Sequence, residues 1–145
     1  MHRITLYLFA LMSLSFLNAC QKEKVDPPGE GIWVRFKNET NEDIQDAVMQ
    51  LYGTPSVRVG TIKAKSSSDY VYFNSFPLVS YSFSESDLGY PNGVMVGMTA
   101  GQQHTYSCGL FCGTGLISGE LPEGEYVLHL RKTENQGYVY YELGF

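Results

Sequence analysis

The chain has 145 residues, with 10 Lys+Arg against 15 Asp+Glu, a formal net charge of −5, three cysteines and 11 tyrosines. No basic cluster occurs along it, which argues against nucleic acid and anionic lipid headgroups as ligands, because both are bound through grouped Lys and Arg. The length suits one globular domain with a real core and is too short for two.

Residues 1–20 read MHRITLYLFALMSLSFLNAC. His2 and Arg3 form a basic start, residues 4–17 an apolar run, and Ala19 a small residue before Cys20, the layout of a secretory signal. A spanning helix needs roughly 20 apolar residues. This run is shorter, and the polar stretch from Gln21 does not continue it, so cleavage is expected rather than a permanent span. Leu17-Asn18-Ala19-Cys20 resembles the lipobox of bacterial lipoproteins. That resemblance implies removal of residues 1–19, diacylglyceryl modification of the Cys20 thiol and acylation of the new N-terminus. Each buried methylene contributes about 0.8 kcal/mol, and two or more acyl chains hold where one does not. The plainer alternative is a secreted protein whose signal happens to end near a cysteine. Residues 20–24 (CQKEK) also resemble the export signal of surface lipoproteins in the Bacteroidota, which implies an outer-membrane lipoprotein displayed at the cell surface. The alternative is a solvated tether facing the periplasm.

Residues 20–30 then read as a lipidated cysteine and tether, with Pro27-Pro28-Gly29 favouring extended chain. The folded domain is expected over residues 31–145. With Cys20 assigned to lipid, Cys108 and Cys112 remain as a pair in an oxidising compartment. In a continuous strand they would lie about 13 Å apart, whereas a disulfide needs Cα atoms within about 4.4–6.8 Å. The expectation is a disulfide-pinned turn through Gly109-Leu110-Phe111. A redox pair or half a zinc site is the competing reading, but the chain has no CxxC and no second cysteine pair.

The domain shows short alternating segments between turn residues, the pattern of antiparallel strands. Over residues 32–37, Ile32, Val34 and Phe36 face one side, and Trp33, Arg35 and Lys37 the other. Residues 38–43 (NETNED) make a polar turn suited to local side-chain hydrogen bonds. Residues 44–52 form the next apolar stretch, closed by Gly53-Thr54-Pro55. Residues 56–63 alternate less cleanly, with Val57, Val59 and Thr61 on one side. A Ser-rich turn at residues 65–68 leads into the aromatic stretch 69–73. Val79, Tyr81 and Phe83 alternate with Ser80, Ser82 and Ser84. Residues 87–93 (DLGYPNG) read as a hairpin turn with Asn92-Gly93 at positive φ. Strands are expected over 94–98 and 103–108, around Thr99-Ala100-Gly101. Residues 125–131 follow Glu123-Gly124, with Tyr126, Leu128 and Leu130 inward and His129 outward in solvent. Asn135-Gln136-Gly137 turns into 138–143.

Seven to nine short strands with a turn about every ten residues predict an all-β fold, an antiparallel β-sandwich or small barrel, the spacing favouring the sandwich. The segments Lys37-Asn38, Gly60-Thr61-Ile62-Lys63-Ala64, Asp69-Tyr70-Val71 and Leu121-Pro122-Glu123-Gly124-Glu125-Tyr126 are similar to those of immunoglobulin-like lipoprotein domains of the same bacteria. An immunoglobulin-like sandwich is therefore what the resemblance implies.

Nothing in the chain carries a catalytic signature. GxSxG and HExxH are absent, and only His104 and His129 remain after the signal. The acidic run 39–46 lacks the alternating oxygen-ligand loop of a calcium site and reads as a solvated turn. Residues 112–115 (CGTG) are not a phosphate loop, because no lysine and helix follow. No catalytic residue, metal or cofactor is expected. The aromatic excess is the one feature that points to binding. Trp33, Tyr138 and Tyr140 are candidate ligand-binding residues, since exposed rings with polar tips suit sugar or protein contacts. The expected function is a non-catalytic binding or interaction module at the envelope, anchored to the membrane by its N-terminal lipid and meeting envelope proteins or glycans. The alternative is a structural or accessory subunit of an envelope or adhesin assembly, or of a glycan-capture system.

Overall fold

The computed structural model describes residues 29–80, 89–108 and 117–145. The signal, Cys20, Cys112 and the end of the 79–83 alternation lie outside the described residues. Among those described, the fold is all-β and sandwich-like, as the alternation predicts. Eleven strands are present: β1 Ile32–Asn38, β2 Ile44–Leu51, β3 Val57–Ile62, β4 Val71–Phe73, β5 Pro77–Ser80, β6 Tyr90–Pro91, β7 Gly93–Thr99, β8 Gln102–Tyr106, β9 Ile117–Glu120, β10 Gly124–Asn135 and β11 Tyr138–Gly144. That exceeds the expected seven to nine because pieces as short as β4 and β6 pair as strands of their own. Among the described residues no helix is long and apolar enough to cross a membrane.

Three sheets result. Sheet A has the order β11-β10-β1-β4, sheet B β3-β2-β7-β8, and sheet C β6-β5-β9. Most neighbours are antiparallel, but β1 runs parallel to β10, with Ile32 opposite Gly124 and Asn38 opposite Leu130. The period-two pattern of β1 puts Ile32, Val34 and Phe36 inside. From β10 come Leu128 and Leu130, from β11 Leu143 and from β4 Phe73. Sheet B answers with Ile44, Ala47, Met49, Leu51, Ile62, Met95 and Tyr106, and all belong to one buried cluster. Phe36, Phe73 and Phe76 pack edge to face in series, with centroids 6.4 and 5.1 Å apart, the arrangement aromatic quadrupoles favour. Sheets A and B join at one margin, where Ser107 N–H donates to the Tyr141 carbonyl at 3.1 Å and the Ser107 carbonyl accepts from Leu143 N–H at 2.6 Å.

Two hairpins follow the expected turn chemistry. Ala100 and Gly101 both have positive φ between β7 and β8, as do Gln136 and Gly137 between β10 and β11, the two-residue geometry that matches strand twist.

Two expectations are corrected. Asn92-Gly93 is not a positive-φ turn: β6 and β7 are nearly continuous, and the residue at positive φ is Gly89. Gly93 is needed for a different reason, because a Cβ there would strike the Gln50 carbonyl oxygen and Leu51 Cα of the paired strand. In β3 the inward partner of Val57 and Val59 is Ile62, not Thr61. Gly60 at φ +89 lies across from a register shift in β2 at Asp46, φ +49. Such a bulge adds one residue and switches which side chains face the core.

Candidate functional site

The outer face of sheet A carries every aromatic candidate read from the sequence, together with the densest set of charged contacts. It divides into three zones because the strands that build it are staggered.

The first zone lies where β4, β1 and β10 meet. Trp33 is flanked by Tyr72 on one side and Glu125 on the other, and its ring lies 5.1 Å from that of Tyr72, tilted by 53°. Two residues along, the Arg35 guanidinium sits 4.2 Å over the Tyr70 ring, a favourable cation–π geometry. The Tyr70 hydroxyl donates to Glu125 Oε2 at 3.1 Å. Trp33 Nε1 and Arg35 Nε are buried atoms without a hydrogen-bond partner among the described residues. Trp33 is therefore not the freely exposed ring that the alternation of β1 implies. It is half-buried, and Tyr72, 46% exposed, presents the accessible ring.

The middle zone centres on Glu39, just past the end of β1. Its Oε1 lies 2.6 Å from His129 Nδ1, its Oε2 accepts from Arg131 Nε at 2.8 Å, and Lys37 Nζ is 3.9 Å away. The Arg131 guanidinium, then His129, hold the Glu39 carboxyl at a pKa of about 2, well below the usual range. The backbone reinforces the placement, since Glu39 N–H donates to the Leu130 carbonyl and Lys65 Nζ to the Glu39 carbonyl. His129 does point outward from β10, as expected, but it is half-buried rather than freely solvated. Its side chain keeps 24% of its surface and is locked to Glu39. Beside it opens a cleft of about 320 Å³ lined by His129, Arg131, Glu142, Tyr90 and Cys108 among others.

This zone has a carboxylate-oriented imidazole. Among the described residues no Ser, Thr or Cys side chain hydrogen-bonds His129, and the Glu39 carboxylate is shared between His129 and Arg131 as a clamp. His104 stacks on Tyr141 at 4.2 Å in the gap between β8 and β11. The acidic run 39–46 is dispersed onto separate partners: Asp43 pairs with Lys63 at 2.7 Å and Asp46 with Arg58 at 3.2 Å. Among the described residues, no group of three or more His, Cys, Asp or Glu could hold a metal ion.

The third zone is the β10–β11 hairpin. Tyr138 is 67% exposed and lies 6.5 Å from Tyr140, which is half-buried. Tyr140 pairs with Thr133 and Trp33 with Glu125, so the two aromatic groups lie at opposite ends of β10, on the order of 26 Å apart at about 3.3 Å per residue. Trp33, Tyr138 and Tyr140 thus share a face but not a patch. Cys108 follows β8 at the rim of the cleft, and its expected pairing reaches Cys112, outside the described residues.

Sequence reasoning missed Tyr72 as the exposed ring and Glu39 as the hub. The first was legible in part, since 69–73 is visibly aromatic. The second depends on β1 lying beside β10. The chain matches no protein-family model, no curated protein and no solved structure.

Proposed function

We propose that this chain is a lipid-anchored envelope protein whose immunoglobulin-like sandwich is a non-catalytic binding module, held at the outer membrane through Cys20 and facing the cell surface. The anchor rests on Leu17-Asn18-Ala19-Cys20 and the apolar run before it. Cys108 and Cys112 close a short disulfide turn in this reading. The binding role rests on one observation. Of the five exposed large apolar side chains among the described residues, Tyr72 and Val127 project together from the outer face of sheet A around Trp33 and Arg35, and Tyr138 from the far end of that face. Tyr72 and Val127 interleave with Arg35, Tyr70 and Glu125, the mixed composition of a contact surface.

The test has two arms. Wild-type protein partitions into detergent and takes up labelled fatty acid, and Cys20→Ala does neither; a Cys20→Ala variant that still partitions removes the anchor. Photo-crosslinkers placed at Tyr72 and Val127 capture discrete partners in intact cells, while one at Gln103 on sheet B does not. Equal capture from both sheets rules out the binding face.

A further inference from the structure

We propose that the β10–β11 hairpin is a self-association arm, and that two copies of this chain join antiparallel along the free edge of β11, with Val139 opposite Val139 of the second copy. The inference concerns a strand edge, so it stands or falls apart from the sheet-face reading above.

The arm is defined by where burial stops. Inward residues alternate along β10 as far as Leu130, and then every residue from Arg131 to Val139 is exposed. The hairpin therefore leaves the body of the sandwich as a two-stranded ribbon, an element that is only marginally stable by itself.

Its outer edge has backbone groups to offer. The Tyr141 carbonyl and Leu143 N–H both turn away from β10, since both bond Ser107. Alternate residues of a strand point their backbone groups the same way, so Val139 N–H and C=O face that edge too. No described residue bonds them there. Exposed edges are ordinarily guarded by bulges, prolines, charges or shortness. Strand β3 has its bulge at Gly60, and β4 is three residues long. Residues 138–141 (YVYY) have none of these guards.

A second copy fits this edge for reasons of register and charge. A twofold axis at Val139 sets Tyr138 opposite Tyr140 of the second copy, extending the existing Tyr138–Tyr140 contact into a cluster of four rings. The pairing ends there, because Gly137 turns each strand back into its own hairpin and Ser107 already bonds the Tyr141 carbonyl, so no charged residue enters it. Lys132 and Glu134 stand one strand away, on β10. Sliding the partner toward the C-terminus is blocked because Ser107 already occupies the edge at Glu142.

The test uses the full chain in envelope membranes. On mild oxidation, Val139→Cys gives a disulfide-linked dimer absent from wild type, since a symmetric pair brings Cα atoms to about 5.5 Å. Arg58→Cys on β3 does not. Val139→Pro, read by sedimentation equilibrium of the full chain in detergent, weakens dimerisation about tenfold or more through loss of two symmetric N–H donors. It leaves the hairpin intact, because that N–H bonds nothing among the described residues. A monomer at all concentrations, a dimer unaffected by Val139→Pro, or equal cross-linking at Arg58→Cys each overturns the proposal.

Discussion

Glu39 and His129 stand 90 positions apart in the chain, yet their Oε1 and Nδ1 atoms lie 2.6 Å apart. The contact exists because β1 runs parallel to β10, which delivers the turn after β1 to the side of Leu130. Arg131 completes the clamp, so one carboxylate ties the end of the first strand to the middle of the tenth.

Acid should release that clamp. The Glu39 carboxyl has an ordinary value of 4.5 and falls to about 2 in the fold, through Arg131 first and His129 second. The folded state thus binds this proton less tightly than the unfolded chain does. The stability it contributes is complete above about pH 4.5 and disappears as pH falls through about 2. Glu39→Gln is expected to cost about 1 kcal/mol at neutral pH, as for a partly exposed ion pair. It should also flatten the dependence of urea midpoint on pH between those two values. An unchanged slope in that window would show that Glu39 is not the group responsible.

Asn38 is fully buried and uses its amide on both sides. Nδ2 donates to the Glu42 carbonyl at 2.8 Å and to that of Ile62 at 3.2 Å, while Oδ1 accepts from Thr40 N–H and Oγ1. Asn38→Ala leaves several buried groups unpaired and is expected to cost about 3 kcal/mol in chemical denaturation. Asn38→Asp should be similarly harmful, because a carboxylate cannot donate to the two carbonyls. Equal stability of Asn38→Asp and wild type would contradict this account.

Two glycines separate crowding from backbone conformation. At Gly93 an added methyl meets the main chain of β2, so Gly93→Ala should lose about 2–3 kcal/mol through overpacking. At Gly137 there is open space but φ is +80, and Gly137→Ala should lose about 1 kcal/mol through strain alone. Thermal melts of the pair should rank them in that order.

The aromatic candidates should divide by role. Trp33 packs against Tyr72 and is half-buried, so Trp33→Ala is expected to lower stability by about 2 kcal/mol or more. Tyr138→Ala, at a highly exposed position, should stay within about 0.5 kcal/mol of wild type. A loss of binding in the first variant would therefore need a folding control, whereas in the second it would not.

The strands were legible because alternation is local. Ile32, Val34 and Phe36 announce an inward face, and Leu128 and Leu130 another, without reference to anything distant. The Ala100-Gly101 and Gln136-Gly137 turns were legible for the same reason, since a two-residue hairpin depends on its own backbone preferences. Gly60 and Asp46 were not, because a bulge shows only when the opposing strand is in place. The same holds for Gly93, whose constraint comes from Gln50 and Leu51 across the ladder.

By itself, then, the amino-acid order determined the all-β class, most strand faces and both tight hairpins. Tertiary structure alone decided that β1 would lie against β10, that His129 would meet Glu39 rather than water, and that Trp33 and Tyr140 would stand at opposite ends of one face. The reason is physical. Side-chain alternation and turn conformation are set over two to ten residues, whereas strand order and register are set by burial of both sheets' inner faces at once, and no local stretch encodes that sum.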